Sequence, residues 1–153
     1  MARQRSGCKS EHAAMTPLER RHAAIEATMA RYRDRPFEWG KVDCAKVAAF
    51  HLKRLGHKIL ISKAGSYSSP LGASRALRRL GYATLAEMAD GIGLTPIPYA
   101  RMLLGDIAEM PAEAPLGAIG IYAGNGNLFC FHEDHPGLVT FAPDRILRAW
   151  SVL

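Results

Sequence analysis

A cysteine at a helix start is the first place in this chain where covalent chemistry can be looked for. In Asp43-Cys44-Ala45-Lys46-Val47 a good capping residue precedes a helical pattern. Val47, Phe50, His51 and Leu55 recur at helical spacing, and Gly56 stands just past the last turn. Cys44 therefore takes the first helical position, where unpaired backbone N–H groups and the helix dipole favour negative charge. A thiolate there has a lowered pKa and is a better nucleophile. Two readings stay open, a nucleophile or a free thiol that packs against a sheet. A nucleophilic thiol also needs an imidazole within hydrogen-bond reach and a third polar group to orient that ring. His51 lies two turns beyond Cys44, about 10 Å along the axis, and reads as a satisfied core or helix-surface residue. His57 follows the helix stop and reads as exposed. His22 reads as solvated on an earlier helix, and His12 belongs to the N-terminal tail. His132 and His135 remain.

The elements that must position these residues fall into two halves. The 153 residues suit one domain with a real core. Residues 1–14 read as a flexible basic tail and 15–153 as a single domain. Thr16-Pro17-Leu18-Glu19 is a capping box with proline at the first helical position. Leu18, Ala24 or Ile25, Met29 and Tyr32 continue it as a stripe, which Arg35-Pro36 breaks. After the Cys44 helix, Lys58 to Ile61 suggests a short strand. Pro70 to Leu80 suggests a helix, and Thr84-Leu85-Ala86-Glu87 a second capping box. Pro96 to Leu104 reads as extended or irregular. Ile107 to Met110, Leu116 to Ala123, Leu128 to His132, Leu138 to Phe141 and Arg148 to Leu153 then read as strands, with Asn125-Gly126 as a tight hairpin turn. The fold class is α+β, N-terminal helices packed on a C-terminal antiparallel sheet of about five strands.

No apolar run approaches the ~18 residues of a membrane span. Cys8, Cys44 and Cys130 are odd in number and lack metal-type spacing, so neither a disulfide framework nor a metal site is expected. No cofactor motif is present, since Gly124-Asn125-Gly126 joins two strands and opens no helix, as a phosphate loop must. Charge is uneven: residues 1–81 carry about +11 and residues 82–153 about −5. Without aromatic interleaving or a nucleic-acid motif, the basic half reads as a solvated helix face rather than a nucleic-acid surface. The split describes a dipolar molecule able to dock with orientation.

Trp39-Gly40, a short gap, then Asp43-Cys44 at a helix start resembles the NlpC-type cell-wall peptidases of the papain-like superfamily. Gly105-Asp106-Ile107 resembles that family's glycine-aspartate before its first strand. Ala118 to Gly126 resembles its histidine-bearing strand and hairpin. Gly137-Leu138-Val139 and Arg148-Ala149-Trp150-Ser151-Val152 bring the likeness nearer to the small members encoded in tail-gene clusters of phages and gene transfer agents. The resemblance implies a papain-like NlpC-type fold and a place in the virion, at the tail tip or baseplate beside the hub and tape-measure proteins, after synthesis in the host cytoplasm.

The resemblance also exposes a departure. The histidine position falls on Ala118, which can neither accept nor donate a proton. The third-group position falls on or near Cys130. With a two-residue Asn125-Gly126 turn, Ala118 pairs near Glu133 and His132 points to the opposite face. A one-residue bulge would instead bring Cys130 and His132 to the face of Ala118. Trp39 either lines the cleft or wedges the loop against the first helix, the wedge being preferred. The expectation is a structural pseudo-peptidase that docks on tail-tip proteins, with Trp39, Asp43, Ala118 and Cys130 lining the old cleft. The rival is an active endopeptidase or amidase that opens peptidoglycan peptides during genome delivery. It would use Cys44 as nucleophile and His132 or His135 as a non-standard base.

Overall fold

The computed structural model describes residues 15–113, 115–132 and 135–153; the tail expected over residues 1–14 lies outside them. Four α-helices come first and a six-stranded antiparallel sheet follows. Helix α1 is Pro17–Tyr32, α2 Cys44–Arg54, α3 Pro70–Arg79 and α4 Leu85–Gly91. Strands are β1 Thr95–Ile97, β2 Ile107–Met110, β3 Ala118–Gly124, β4 Asn127–Phe131, β5 Leu138–Phe141 and β6 Arg148–Ser151, ordered β1-β6-β2-β3-β4-β5.

Local chemistry accounts for the helix starts. Thr16 accepts from Glu19 N while Glu19 accepts from Thr16 N, closing the capping box of α1. Asp43, Ser69 and Thr84 cap the other three helices through their side chains. At α4 the returning carboxylate of Glu87 reaches Ala83 N, one residue short of the cap. The buried stripe of α1 is Arg21, Ala24, Ile25, Thr28 and Tyr32. Leu18, expected on it, is 63% exposed. Two polar side chains thus occupy the inward face, where Arg21 meets Asp106 just before β2 and Thr28 meets His51 of α2.

Two strand assignments change. Lys58 to Ile61 forms no strand: Ile59 is buried, Leu60 is exposed, and the chain enters a 3-10 turn at Ile61–Ala64. The irregular stretch after Pro96 hides β1, which pairs Thr95 with Ser151 and Ile97 with Ala149. Proline is tolerated within it because an edge strand has one unpaired side.

The sheet has two buried faces. Ile107, Ile119, Ile121, Phe129 and Trp150 pack with the helices. Ala108, Met110, Leu128 and Cys130 form a smaller cluster on the outer face, covered by Met102 and Ile146 from the connecting segments. Between β3 and β4 the pairs run Gly124↔Asn127, then Tyr122↔Leu128 and Ile121↔Phe129, so Ala123 is a one-residue bulge. Asn125 (φ 53) and Gly126 (φ 76) make the turn in left-handed backbone. Continued along both strands, this register sets Cys130 across from Gly120 and His132 across from Ala118. A Cβ on Gly120 would indeed lie 3.0 Å from the Cys130 Cβ. The bulged alternative is the one the chain adopts.

A buried polar network ties α1 to the sheet. Arg21 pairs with Asp106 at 2.6 Å, with side chains 5% and 1% exposed. Arg21 also donates to Leu104 O, and Asp106 also accepts from Leu103 N and Val152 N. His51 is fully buried beside it, with Nε2 at 2.8 Å from Gly105 O and Nδ1 at 3.3 Å from Thr28 Oγ1. Nε2 therefore carries the proton. Burial lowers its pKa below the ordinary histidine value. His51 is thus a satisfied core residue, its ring nitrogens spent on the Gly105 carbonyl and the Thr28 hydroxyl.

Candidate functional site

The loop 36–43 is built to deliver Asp43 to the start of α2. Glu38 and Val42 bridge as a small antiparallel turn. Gly40 lies at φ +81, and a Cβ there would fall 1.9 Å from the carbonyl oxygen of Tyr67. Only glycine fits. The fully buried Asp43 carboxylate accepts from Lys46 N at 2.9 Å, Gly40 N at 2.9 Å and Tyr67 Oη at 2.7 Å. It fixes the loop, the helix and the segment after α2 in one place. Burial foremost, then this hydrogen bond to a carboxylate, pushes the Tyr67 phenol pKa well up.

Cys44 follows, half-buried at the first position of α2. Of the two readings left open, nucleophile or packing residue, the surroundings favour a packing thiol. Burial pushes it up to about 11, and the adjacent Asp43 charge adds to the rise. Helix-start N–H groups favour a thiolate, but displacement of water by apolar neighbours outweighs them. Cys130 is buried, its thiol is likewise raised by burial, and Sγ donates to Ile119 O at 3.2 Å. Cys44 and Cys130 line one small cavity together with Ile119 and Gly120. Cys130 is thus beside the thiol, as a packing group and not as an orienter of an imidazole.

A second cavity opens on the other side of Cys44. Its interior is narrow, about 30 Å³ open to a water-sized sphere, widening to about 450 Å³ of empty space when the open mouth is counted, and its walls are almost wholly apolar. Trp39, Asp43 and Cys44 contribute one side. Trp39 is half-buried and also stacks edge-on with Phe37, whose ring meets Phe131 in turn. Trp39 therefore both lines the cleft and wedges the loop, though against Phe37 rather than against α1.

Among the described residues no histidine lines either of the two cavities beside Cys44. His132 lines a groove on the outer face with Ala118 and Met110, where its ring meets Phe141 at 4.8 Å and His135 at 6.2 Å. His135 borders a different cleft, beside Arg33 and β5. The bulge brings Ala118, Cys130 and His132 to one face, yet neither His132 nor His135 shares a cavity with the Cys44 thiol. His57, expected exposed, is half-buried with Nε2 at 2.6 Å from Val152 O. His22 is exposed beside Glu26, as expected. Sequence reasoning missed Tyr67 as the partner of Asp43, since nothing local marks a tyrosine 24 residues away. Among the described residues no group of acidic, histidine and cysteine side chains is placed to hold a metal ion, and no helix is long and apolar enough to cross a membrane.

Helices on one face of an antiparallel sheet, with Cys44 opening helix α2 beside an apolar cleft, define an α+β domain. The chain belongs to a family described as a domain of unknown function, DUF6950, which matches residues 16–152. No curated protein matches it.

Proposed function

We propose that this protein is a structural component of a phage or gene-transfer-agent tail tip, built on a degenerate papain-like NlpC-type fold that docks on hub or tape-measure proteins and performs no peptidase chemistry. One observation carries the non-catalytic part. The Cys44 thiol is raised to about 11, and among the described residues no imidazole lines its two cavities. A raised thiol and walls without an imidazole both weigh against cysteine-peptidase chemistry there, which needs a thiolate and a base. The Asp43 carboxylate is committed to three hydrogen-bond donors and is not free to orient a ring. The tail-tip placement rests on the likeness of the Trp39–Cys44, Gly105–Ile107 and C-terminal blocks to small tail-cluster proteins.

The test pairs hydrolysis with assembly. Purified protein is incubated with peptidoglycan stem peptides, and particles carrying Cys44→Ala are compared with particles lacking the protein. The expected result is no cleavage, normal infectivity for Cys44→Ala, failed tails without the protein, and antibody labelling at the distal end of the tail. Cleavage that disappears in Cys44→Ala would restore the peptidase. Labelling elsewhere, or normal tails in its absence, would remove the tail-tip role.

A further inference from the structure

We propose that the apolar cleft beside Cys44 is a docking slot for an aliphatic side chain carried on an acidic peptide segment of a partner protein. This inference rests on the reading that Cys44 does no chemistry, and it names the chemistry of the partner at that site.

The slot has an apolar floor from Leu77, Leu85 and Met88, all buried, and a mouth formed by half-exposed Trp39, Ile61 and Tyr67. Such a lining has nothing to offer a polar peptidoglycan stem. It suits an aliphatic group, whose burial is favourable in proportion to the area removed from water. Two cations stand beside residues that line the slot. Lys46 Nζ sits 5.7 Å from the Tyr67 ring centroid on one side. Arg79 donates to Ala64 O, on the cleft wall, at 2.6 Å on the other. Lys63 is exposed between Ile61 and Ala64, whereas Arg75 and Arg78 are exposed on α3 away from its inward face of Ala73, Ala76 and Leu77. From Lys41 to Gly81 the chain has nine lysines and arginines and a single acidic residue, Asp43, which is fully buried. Just outside this segment, Glu38 pairs with Lys41 and Glu87 accepts from Ala83 N, so the flanking acids are engaged locally and Lys46, Lys63 and Arg79 leave a net positive charge beside the slot. Exposed Leu60 (58%) and Leu71 (62%) extend the apolar character next to Ile61 and Gly72. An apolar slot beside a net positive charge is complementary to an acidic segment with one aliphatic anchor. The slot supplies affinity, and the charge supplies orientation and encounter rate.

Trp39 provides a built-in reporter, because it lines the mouth while the other tryptophan, Trp150, is fully buried against the sheet. The full chain is titrated with a heptapeptide that has a central leucine flanked by aspartate and glutamate. Matched peptides carry alanine at the centre, or lysine in the flanks. Saturable change in tryptophan fluorescence is expected for the acidic leucine peptide. Affinity should fall roughly tenfold or more on leucine-to-alanine replacement and severalfold between low and physiological salt. Lysine flanks should abolish it. Lys63→Glu, at an exposed side chain, should weaken binding, and Arg79→Glu should weaken it further; circular dichroism of both variants reports that the fold persists.

No saturable change up to about 1 mM peptide overturns the proposal, and so does equal affinity for the leucine and alanine peptides, which would mean adsorption by charge alone. Cleavage of the peptide would instead refute the non-catalytic reading of Cys44. The two failures have different signatures, one read as binding and the other as new peptide termini.

Discussion

Removing the Asp106 carboxylate should show how strongly the helical layer depends on one buried ion pair. Asp106 is 1% exposed at the side chain and accepts from Arg21 at 2.6 Å, from Leu103 N at 2.8 Å and from Val152 N at 3.1 Å. Asp106→Ala leaves the Arg21 guanidinium buried with only Leu104 O and a long contact to Ser151 Oγ. Breaking a buried pair from one side costs about 3–5 kcal/mol. The two stranded backbone N–H groups push the figure toward the upper end, since an unsatisfied buried donor costs about 1–3 kcal/mol. For a domain with roughly 5–15 kcal/mol in total, that is a large share, and the midpoint of thermal unfolding should drop by about 10 °C or more. Equilibrium urea unfolding, followed by Trp150 fluorescence and far-ultraviolet circular dichroism, measures it. Arg21→Met with Asp106→Leu removes both charges and should recover more than half of the loss, because no uncompensated charge is left. A cost below about 1 kcal/mol for Asp106→Ala, outside the range for a broken buried pair, would refute the reasoning. So would a double variant as unstable as the single one.

Other outcomes follow from single sites. With its thiol at about 11, Cys44 should alkylate slowly at pH 7.5 and accelerate steadily toward pH 11; a rate plateau below pH ~8.5 would show an activated thiolate. Because burial depresses the His51 pKa, the native state binds fewer protons there than the unfolded chain. The His51 contribution is complete above the ordinary value of 6.5 and is lost as pH falls below it toward the folded pKa. Urea midpoints should therefore decline from pH 7.5 to pH 5, and His51→Gln should flatten that slope; an unchanged slope would rule out His51 as its source. Gly40→Ala should destabilise by more than about 2 kcal/mol, combining a left-handed φ of +81 with a Cβ at 1.9 Å from Tyr67 O. Near-wild-type melting of that variant would mean that the loop can rearrange freely.

Much of the local structure was legible before any coordinates. The capping box at Thr16 and the Thr84 and Asp43 caps mark helix starts through hydrogen bonds made within four residues. The Asn125-Gly126 hairpin and the strands on either side of it were equally plain. Such features depend on residues close together in the chain, so short patterns report them. Strand β1 escaped because its evidence is its pairing with β6, more than fifty residues later.

The candidate site divides along the same line. That Cys44 opens a helix, and that Ala118 cannot act as a base, follow from residue types alone. The register of β3 against β4 was open in the sequence, since a bulge adds one residue without a distinctive side chain, and the pairing at Ala123 settled it. Whether the thiol is activated was also a tertiary matter. A helix start lowers a cysteine pKa by local electrostatics, whereas the apolar cavity that raises it to about 11 is assembled from α2, α3, α4 and the loops between them. The inward polar residues of α1, Arg21 and Thr28, likewise depend on Asp106 and His51 from elsewhere in the chain. Short-range patterns determine which elements form and where they begin. Burial, charge balance and which side chains share a cavity depend on long-range packing, and for this protein those decide what Cys44 can do.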